Sequence, residues 1–468
     1  MTMRELRFPD GFLWGAGTSA YQIEGSPLAD GAGMSIQHRF AHTPGATVDG
    51  TTGDLLADHY NRWPQDIALM RELGLGAYQF SIAWPRVLPQ GTGAVNPKGL
   101  DFYDRLLDAL LEAGVAPLPI LHVWDFPAVL QDRGGWANRD SAEWFGEYAA
   151  VVFERLGDRV GQWLTLCEPL SIAWGGYIGG KLAPRMRDLY AGLRAGHHVL
   201  LAHGRAVEAY RASGARGEIG TSTGFMDVQP ASDADADRAA ADRFAANHNV
   251  LYLDPVMRGE YPAEIVERYG EAWPEVRDGD LATISAPIDF LGVTYYLGAV
   301  VADGAASAGA DVGETENPLV DDAYDPLLET RLVATGRPVT GIGWDVNPDG
   351  LYRALLWLRE RYGDIPLLVT EVGAAYDDAP AADGSVDDRQ RLAYLRDHVA
   401  AAHRAIEEGV DLRGICVWSL IDTWEFWLGC TARFGLVRVD YATRERTVKA
   451  SGRWLAELIA ANALTLEA

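Results

Sequence analysis

Apolar runs short enough to be strands recur along the chain, each bounded by Gly, Pro or polar clusters. In order they cover residues 12–20 (FLWGAGTSA), 77–84 (AYQFSIAW), 117–125 (PLPILHVWD), 163–168 (WLTLCE), 217–223 (GEIGTST), 290–296 (FLGVTYY), 366–373 (PLLVTEVG) and 412–422 (LRGICVWSLID). Between them lie longer stretches in which apolar residues return at helical spacing, for example 100–113, 142–156, 189–211, 351–362 and 389–408. Strand-like runs alternating with helical ones are the pattern of βα units around a parallel sheet. There are eight such runs, the last falls late, and no Pro/Ser-rich linker divides the chain. The pattern therefore predicts an α/β fold, a single (β/α)8 (TIM) barrel over residues 1–468 with long βα loops, in preference to a doubly wound sheet with a second domain. The stretch 301–325, rich in Gly, Ala, Asp and Pro, is expected to be a surface excursion between the sixth and seventh strands.

Charge then narrows the function. The 468 residues carry 40 Lys+Arg against 66 Asp+Glu, a formal charge of −26. Such a chain repels phosphate backbones, so no nucleic acid and no anionic membrane is expected as a partner. No apolar run approaches the roughly eighteen residues of a membrane-spanning helix, and the polar opening MTMRELRFPDG does not read as a signal peptide. Three dispersed cysteines (Cys167, Cys416, Cys430) suit neither a disulfide framework nor a zinc site. The expectation is a cytoplasmic protein with no metal and no cofactor, whose partner is a small molecule; a homo-oligomer stays open. The motif His197-His198-x4-His203 lies in a helical run and is expected to pack rather than to ligate. Asp58-His59 and Asp422 are expected to be structural hydrogen-bonders, and the acidic run 233–237 a solvated loop.

In a barrel of this kind chemistry sits at the C-terminal strand ends. Those ends carry Gln22, Trp84, Trp124 with Asp125, Glu168, Tyr295 with Tyr296, Glu371, and Trp418 followed by Asp422 and Glu425. Glu168 closes the fourth run and precedes Pro169, which ends the strand. Glu371 closes the seventh. Two carboxyls facing each other across a mouth lined with Trp suit glycoside hydrolysis, where one protonates the leaving oxygen and the other attacks the anomeric carbon or stabilises its charge. Indole faces suit the C–H side of a sugar ring, and Gln and Glu suit its hydroxyls.

The motifs FPDGFLWGAGTSAYQIEG, FSIAWPR, GGWANRD, GDRVGQWLTLCEP, DFLGVTYY, LLVTEVG and VWSLIDTWEF…RFGLVRVDY stand in an order and spacing that resemble the family 1 glycoside hydrolases, the β-glucosidases and their relatives. The likeness covers nearly the whole chain. It implies that Glu168 is the acid/base, Glu371 the nucleophile of a retaining mechanism, and that Gln22, Trp124, Trp418 and Glu425 hold the glycone. It further implies that Tyr296 hydrogen-bonds the nucleophile and that Trp344 floors the aglycone side.

Six positions depart from the family's pattern. Gln79 stands for an Arg, Val123 for a His, Cys167 for the Asn before the acid/base, Thr294 for the Asn of N-Y-Y, Val372 for the Asn after the nucleophile, and Phe426 for a Trp. His122 precedes Val123 but faces the opposite side of a strand. A thiol and an isopropyl group are poor partners for the sugar 2- and 3-hydroxyls, and an unpaired buried hydroxyl costs about 1–3 kcal/mol. The expected substrate is accordingly a deoxygenated or natural-product-linked glycoside rather than a plain glucoside. The alternative is a repurposed enzyme that uses Glu168 and Glu371 as an acid/base pair for cyclisation, elimination or glycosyl transfer. Loss of the Arg is expected to raise the pKa of Glu371.

Overall fold

Eight parallel strands close into a barrel in the order of the chain: β1 (Leu13–Gly17), β2 (Ala77–Ser81), β3 (Ala116–His122), β4 (Gln162–Cys167), β5 (Glu218–Gly224), β6 (Phe290–Tyr295), β7 (Leu367–Val372) and β8 (Leu412–Trp418). Each pairs with the next, and β8 returns to β1 with Gly414 opposite Leu13. The structure, a computed structural model, describes residues 3–304, 324–325 and 327–467. All eight expected strands form, and most are trimmed at one or both ends. The first and last are shortened most, because the backbone turns at Thr18 and after Trp418 to carry their polar followers into the loops.

An outer helix follows every strand: α1 (His59–Glu72), α2 (Pro97–Glu112), α3 (Asp140–Leu156), α4 (Leu189–Ser213), α5 (Leu251–Arg258), α6 (Pro348–Tyr362), α7 (Arg389–Glu407) and α8 (Ala450–Ala461). In α2 the chain enters through Asn96 and Pro97, and Leu100, Tyr103, Leu106, Leu107 and Leu110 line one buried face. That i, i+3, i+4 spacing with Pro in the first turn is what makes it an amphipathic helix packed on the barrel. The strands are covered on both faces, so they read as nearly continuous apolar runs. Their inward side chains fill the lumen: Leu118, Ile120, Leu164, Phe290, Leu368 and Cys416, with Val123 and Cys167 in the same cluster. Gly15 leaves room for Cys416; a Cβ there would stand 2.7 Å from its Sγ.

Two expectations about loops change. The stretch 301–325 lies mostly outside the described residues, but its described ends are strands. Gly298–Asp303, Thr330–Leu332, Tyr324–Asp325 and Asp227–Pro230 form a four-stranded sheet beside the barrel. Val301, read as the edge of a loop, is held there by pairing with a distant segment, which local sequence does not reveal. The acidic run 233–237 is not all loop. A helix begins at Asp235, placing Asp235 and Asp237 in its first turn, where carboxylates favour the N-terminal dipole.

Candidate active site

The C-terminal strand ends surround a cavity of about 720 Å3. Its floor is the top of the lumen core, since Val123 and Cys167 belong to both. Glu168, Glu371 and Glu425 reach into it, together with Gln22, Ser171 and Tyr296. The walls are aromatic, with Trp124 packed on Phe426, and Trp344, Trp418 and Phe434 in a second cluster, together with Trp427, Leu182 and Leu297. Among the described residues that line it, none is Arg, Lys or His.

Local backbone conformation aims several of these side chains. Trp124, Glu168 and Phe426 have φ of +57°, +50° and +50°. A left-handed conformation at such residues costs roughly 1–3 kcal/mol each and is retained where the surroundings impose it. Pro169 follows Glu168, Ile172 N–H donates to the Glu168 carbonyl (3.3 Å), and a helical turn, Ser171–Ile178, begins. That turn brings the Ser171 hydroxyl to donate to Glu168 Oε2 (2.7 Å), while the Thr294 hydroxyl donates to Oε1. Burial raises the pKa of Glu168, and these two donors partly offset the rise.

Glu371 lies inside β7. The Tyr296 hydroxyl donates to its Oε2 (2.6 Å), and Gln79 Nε2 and Cys167 Sγ each stand 3.4 Å from Oε1. Burial and the negative charges of Glu168 and Glu425 push its pKa up to about 8, against the lowering effect of Tyr296 and Cys167. The rise expected from the missing Arg is present, with burial as its first cause. Glu425 is pushed up to about 7, chiefly by burial, while Thr423, Trp418 and Gln22 hydrogen-bond it and oppose the rise. Gln22 is itself fixed at both ends, accepting from Ser19 Oγ (2.6 Å) and donating to the Trp424 carbonyl (2.9 Å). Cys167 is held as a thiol by burial and by the two neighbouring glutamates, which removes it as a nucleophile.

The structure brings together every residue singled out for catalysis or substrate contact: Glu168, Glu371, Gln22, Trp124, Cys167, Tyr296, Trp344, Trp418, Glu425 and Phe426 all line this one cavity. Four of the strand-end residues do not. Trp84 is stacked on Tyr148 and donates to the Gly91 carbonyl. Asp125 lies in a separate small cavity with Glu24 and Arg86. Tyr295 donates to the Asn347 carbonyl, and Asp422 is locked to Lys449 and Arg433. His122 points away from the cavity into the aromatic layer of Trp84, Trp136 and Phe145, as strand alternation requires. The three helical histidines pack: His197 meets Asp280 and Tyr261, His198 the Trp136 carbonyl, and His203 the Thr165 hydroxyl. His59 is bonded to Asp66 (2.8 Å). Sequence reasoning missed Ser171, Leu182, Leu297, Trp427 and Phe434. Only Ser171 carried a signal, standing one helical turn after Glu168; Leu182, Leu297 and Phe434 reach the cavity from irregular loops and Trp427 from the short 3-10 helix Phe426–Leu428.

A (β/α)8 barrel whose C-terminal face holds paired buried carboxyls between aromatic walls has the architecture of a glycoside hydrolase. The chain belongs to glycosyl hydrolase family 1, whose family model matches residues 4–464, and it is β-glucosidase-like. It is similar to Beta-glucosidase A of Thermotoga maritima, 46% identical over 465 residues that cover 99% of this chain and 100% of that protein. It is 45% identical to the 1,4-beta-D-glucan glucohydrolase of Thermotoga neapolitana, over 98% of this chain and 99% of the relative. The solved family 1 β-glucosidase from Thermotoga maritima superposes with a TM-score of 0.92 at 44% identity, covering 99% and 100% of the two chains. Among the described residues no helix is long and apolar enough to cross a membrane.

Proposed function

We propose that this protein is a retaining β-glycosidase in which Glu168 is the acid/base and Glu371 the nucleophile, working as one catalytic unit over residues 1–468. We further propose that its glycone lacks the hydroxyls that a plain glucoside presents toward Val123 and Cys167. The observation that carries this reading is the composition of the cavity: the paired carboxyls lie above a floor of isopropyl and thiol groups. Hydrogen-bond capacity points the same way. The Ser171 and Tyr296 hydroxyls are already donated to Glu168 and Glu371, and Gln22 is tied to the backbone at one end. A ring with fewer hydroxyls leaves fewer of them unpaired. A deoxysugar attached to a natural product has this chemistry, and three free cysteines suit a reducing cytoplasm. Relatives named β-glucosidases support the glycosidase class without extending to this glycone.

A second reading has its own support. Glu371, with a pKa near 8, is largely protonated at neutral pH and suits an acid as well as a nucleophile, so an acid/base pair acting on a non-glycosidic substrate is its basis. Intact-mass analysis after incubation with an activated 2-deoxy-2-fluoro glycoside separates the two. The glycosidase reading expects one covalent glycosyl adduct, mapped to Glu371 by peptide sequencing and absent from Glu371→Gln. No adduct at any pH between 5 and 9, in an enzyme that consumes its substrate, overturns it.

A further inference from the structure

His38, His42 and Asp54 stand together in the long loop between β1 and α1. His38 lies in the short helix Ile36–Ala41, and His42 follows one turn later, so both rings project from one side. Their ligand-capable atoms and an Asp54 oxygen lie within 4.8 Å of one another. His38 Nδ1 is 3.3 Å from Asp54 Oδ1, and His42 Nε2 is 3.0 Å from Asp54 Oδ2. A tetrahedral zinc ion with bonds of about 2.0–2.1 Å sets its ligand atoms about 3.3 Å apart.

Hydrogen bonding leaves this triad incomplete. His42 Nδ1 stands 2.8 Å from the His38 carbonyl oxygen, which can only accept, so the ring proton is on Nδ1. In the neutral ring, His42 Nε2 then turns a lone pair toward a carboxylate oxygen. His38 Nδ1 and Asp54 Oδ1 are buried atoms with no hydrogen-bond partner, although they face each other. The two ring centres stand 4.2 Å apart, with both imidazoles turned on the one carboxylate. A cation between the three groups satisfies all of them. A backbone carbonyl that fixes the tautomer is also the usual outer partner of a metal-bound histidine.

We propose that His38, His42 and Asp54 form a binding site for a divalent transition metal of the zinc class, with the fourth position left to water. The site departs from the expectation of a metal-free chain, because Asp54 joins the two histidines only through the fold of the loop. Its setting gives the metal a structural task. The same helix supports the cavity rim: Gln37 Nε2 donates to the Trp124 carbonyl (3.2 Å), and Val48 N–H in the same loop donates to the Trp427 carbonyl (2.8 Å). A bound ion cross-links this loop and stiffens the wall formed by Trp124 and Trp427.

The test uses the full chain, stripped with a chelator and dialysed against equimolar Zn2+. The proposal expects one zinc per chain by elemental analysis, a melting temperature a few degrees above that of the stripped protein, and a tetrahedral d–d spectrum when Co2+ replaces Zn2+. His38→Gln and His42→Gln, both partly solvent-facing, are expected to fold with the melting temperature of the stripped wild type and to lose all three signals. Retention of no zinc by the wild type overturns the proposal. Equal retention by wild type and both variants also overturns it, since the ion then sits elsewhere.

Discussion

Val123 and Cys167 form the floor of the cavity, on top of the lumen core. If they exclude plain glucosides by leaving hydroxyls unpaired, the double substitution Val123→His with Cys167→Asn raises kcat/KM for aryl β-glucosides. Two recovered partners at about 1–3 kcal/mol each correspond to roughly 30- to 3 × 10⁴-fold. A wild type that already hydrolyses cellobiose at the rate of an ordinary glucosidase sinks this account. Gln79 sets the second residue-scale outcome. A nucleophile must be ionised, so with Glu371 near 8 the acid limb of kcat/KM is expected close to pH 8 instead of in the usual carboxylate range. Gln79→Arg places a cation beside Glu371, favours its charged form and moves that limb down; an unmoved limb argues against Glu371 as its origin. Stability follows the same group with a fixed sign. A folded pKa raised above the unfolded ~4.3 means that the native state keeps a proton the unfolded chain has lost, so stability falls as pH rises from there through about 8. Glu371→Gln is therefore expected to match the wild type in melting temperature at pH 4 and to exceed it by a few degrees at pH 8.

At the scale of elements, the loops after β7 and β8 are joined by buried ions. Lys449, just before α8, donates to Asp378 Oδ2 (2.5 Å) and Asp422 Oδ1 (2.7 Å), and Arg391 of α7 meets Asp378 (2.7 Å); all four side chains are fully buried. Asp422 sits three residues before Glu425, so the network holds the segment that carries Glu425 into the cavity. Lys449→Met removes the cation shared by two carboxylates, leaving Asp378 with Arg391 and Asp422 with Arg433, and the loss of charged hydrogen bonds is expected to cost about 1.5–3 kcal/mol in denaturant unfolding. A loss below about 1 kcal/mol means that the carboxylates find water or other partners. The strands and helices were legible because their period is local: β2 to β8 read as apolar runs and α2 as a repeating face. The sheet at Gly298–Asp303 was not legible, because its partners are Asp227–Pro230 and Thr330–Leu332, and sequence distance hides such pairing.

At the scale of the whole molecule, a formal charge of −26 surrounds a cavity with three carboxyls and, among its described lining residues, no cationic side chain. An anionic glycone meets repulsion from the outer field and from the site, and salt screens only the first. Glycosides bearing a 6-phosphate or a uronate are therefore expected to show no turnover above background at either low or high ionic strength. Saturable hydrolysis of either would require a cation that the described lining of this cavity does not hold. By itself the sequence determined the eightfold βα order, the acidic surface, and the two strand-end glutamates with their aromatic companions, because strand alternation and strand ends are counted along the chain. The tertiary structure decided the rest. It separated Trp84, Asp125, Tyr295 and Asp422 from the cavity, brought in Leu182, Leu297, Trp427 and Phe434, and set Asp54 against His38 and His42. Those outcomes depend on how loops close over distances that no local period encodes, and pKa values such as that of Glu371 follow from the burial and neighbouring charges that closure creates.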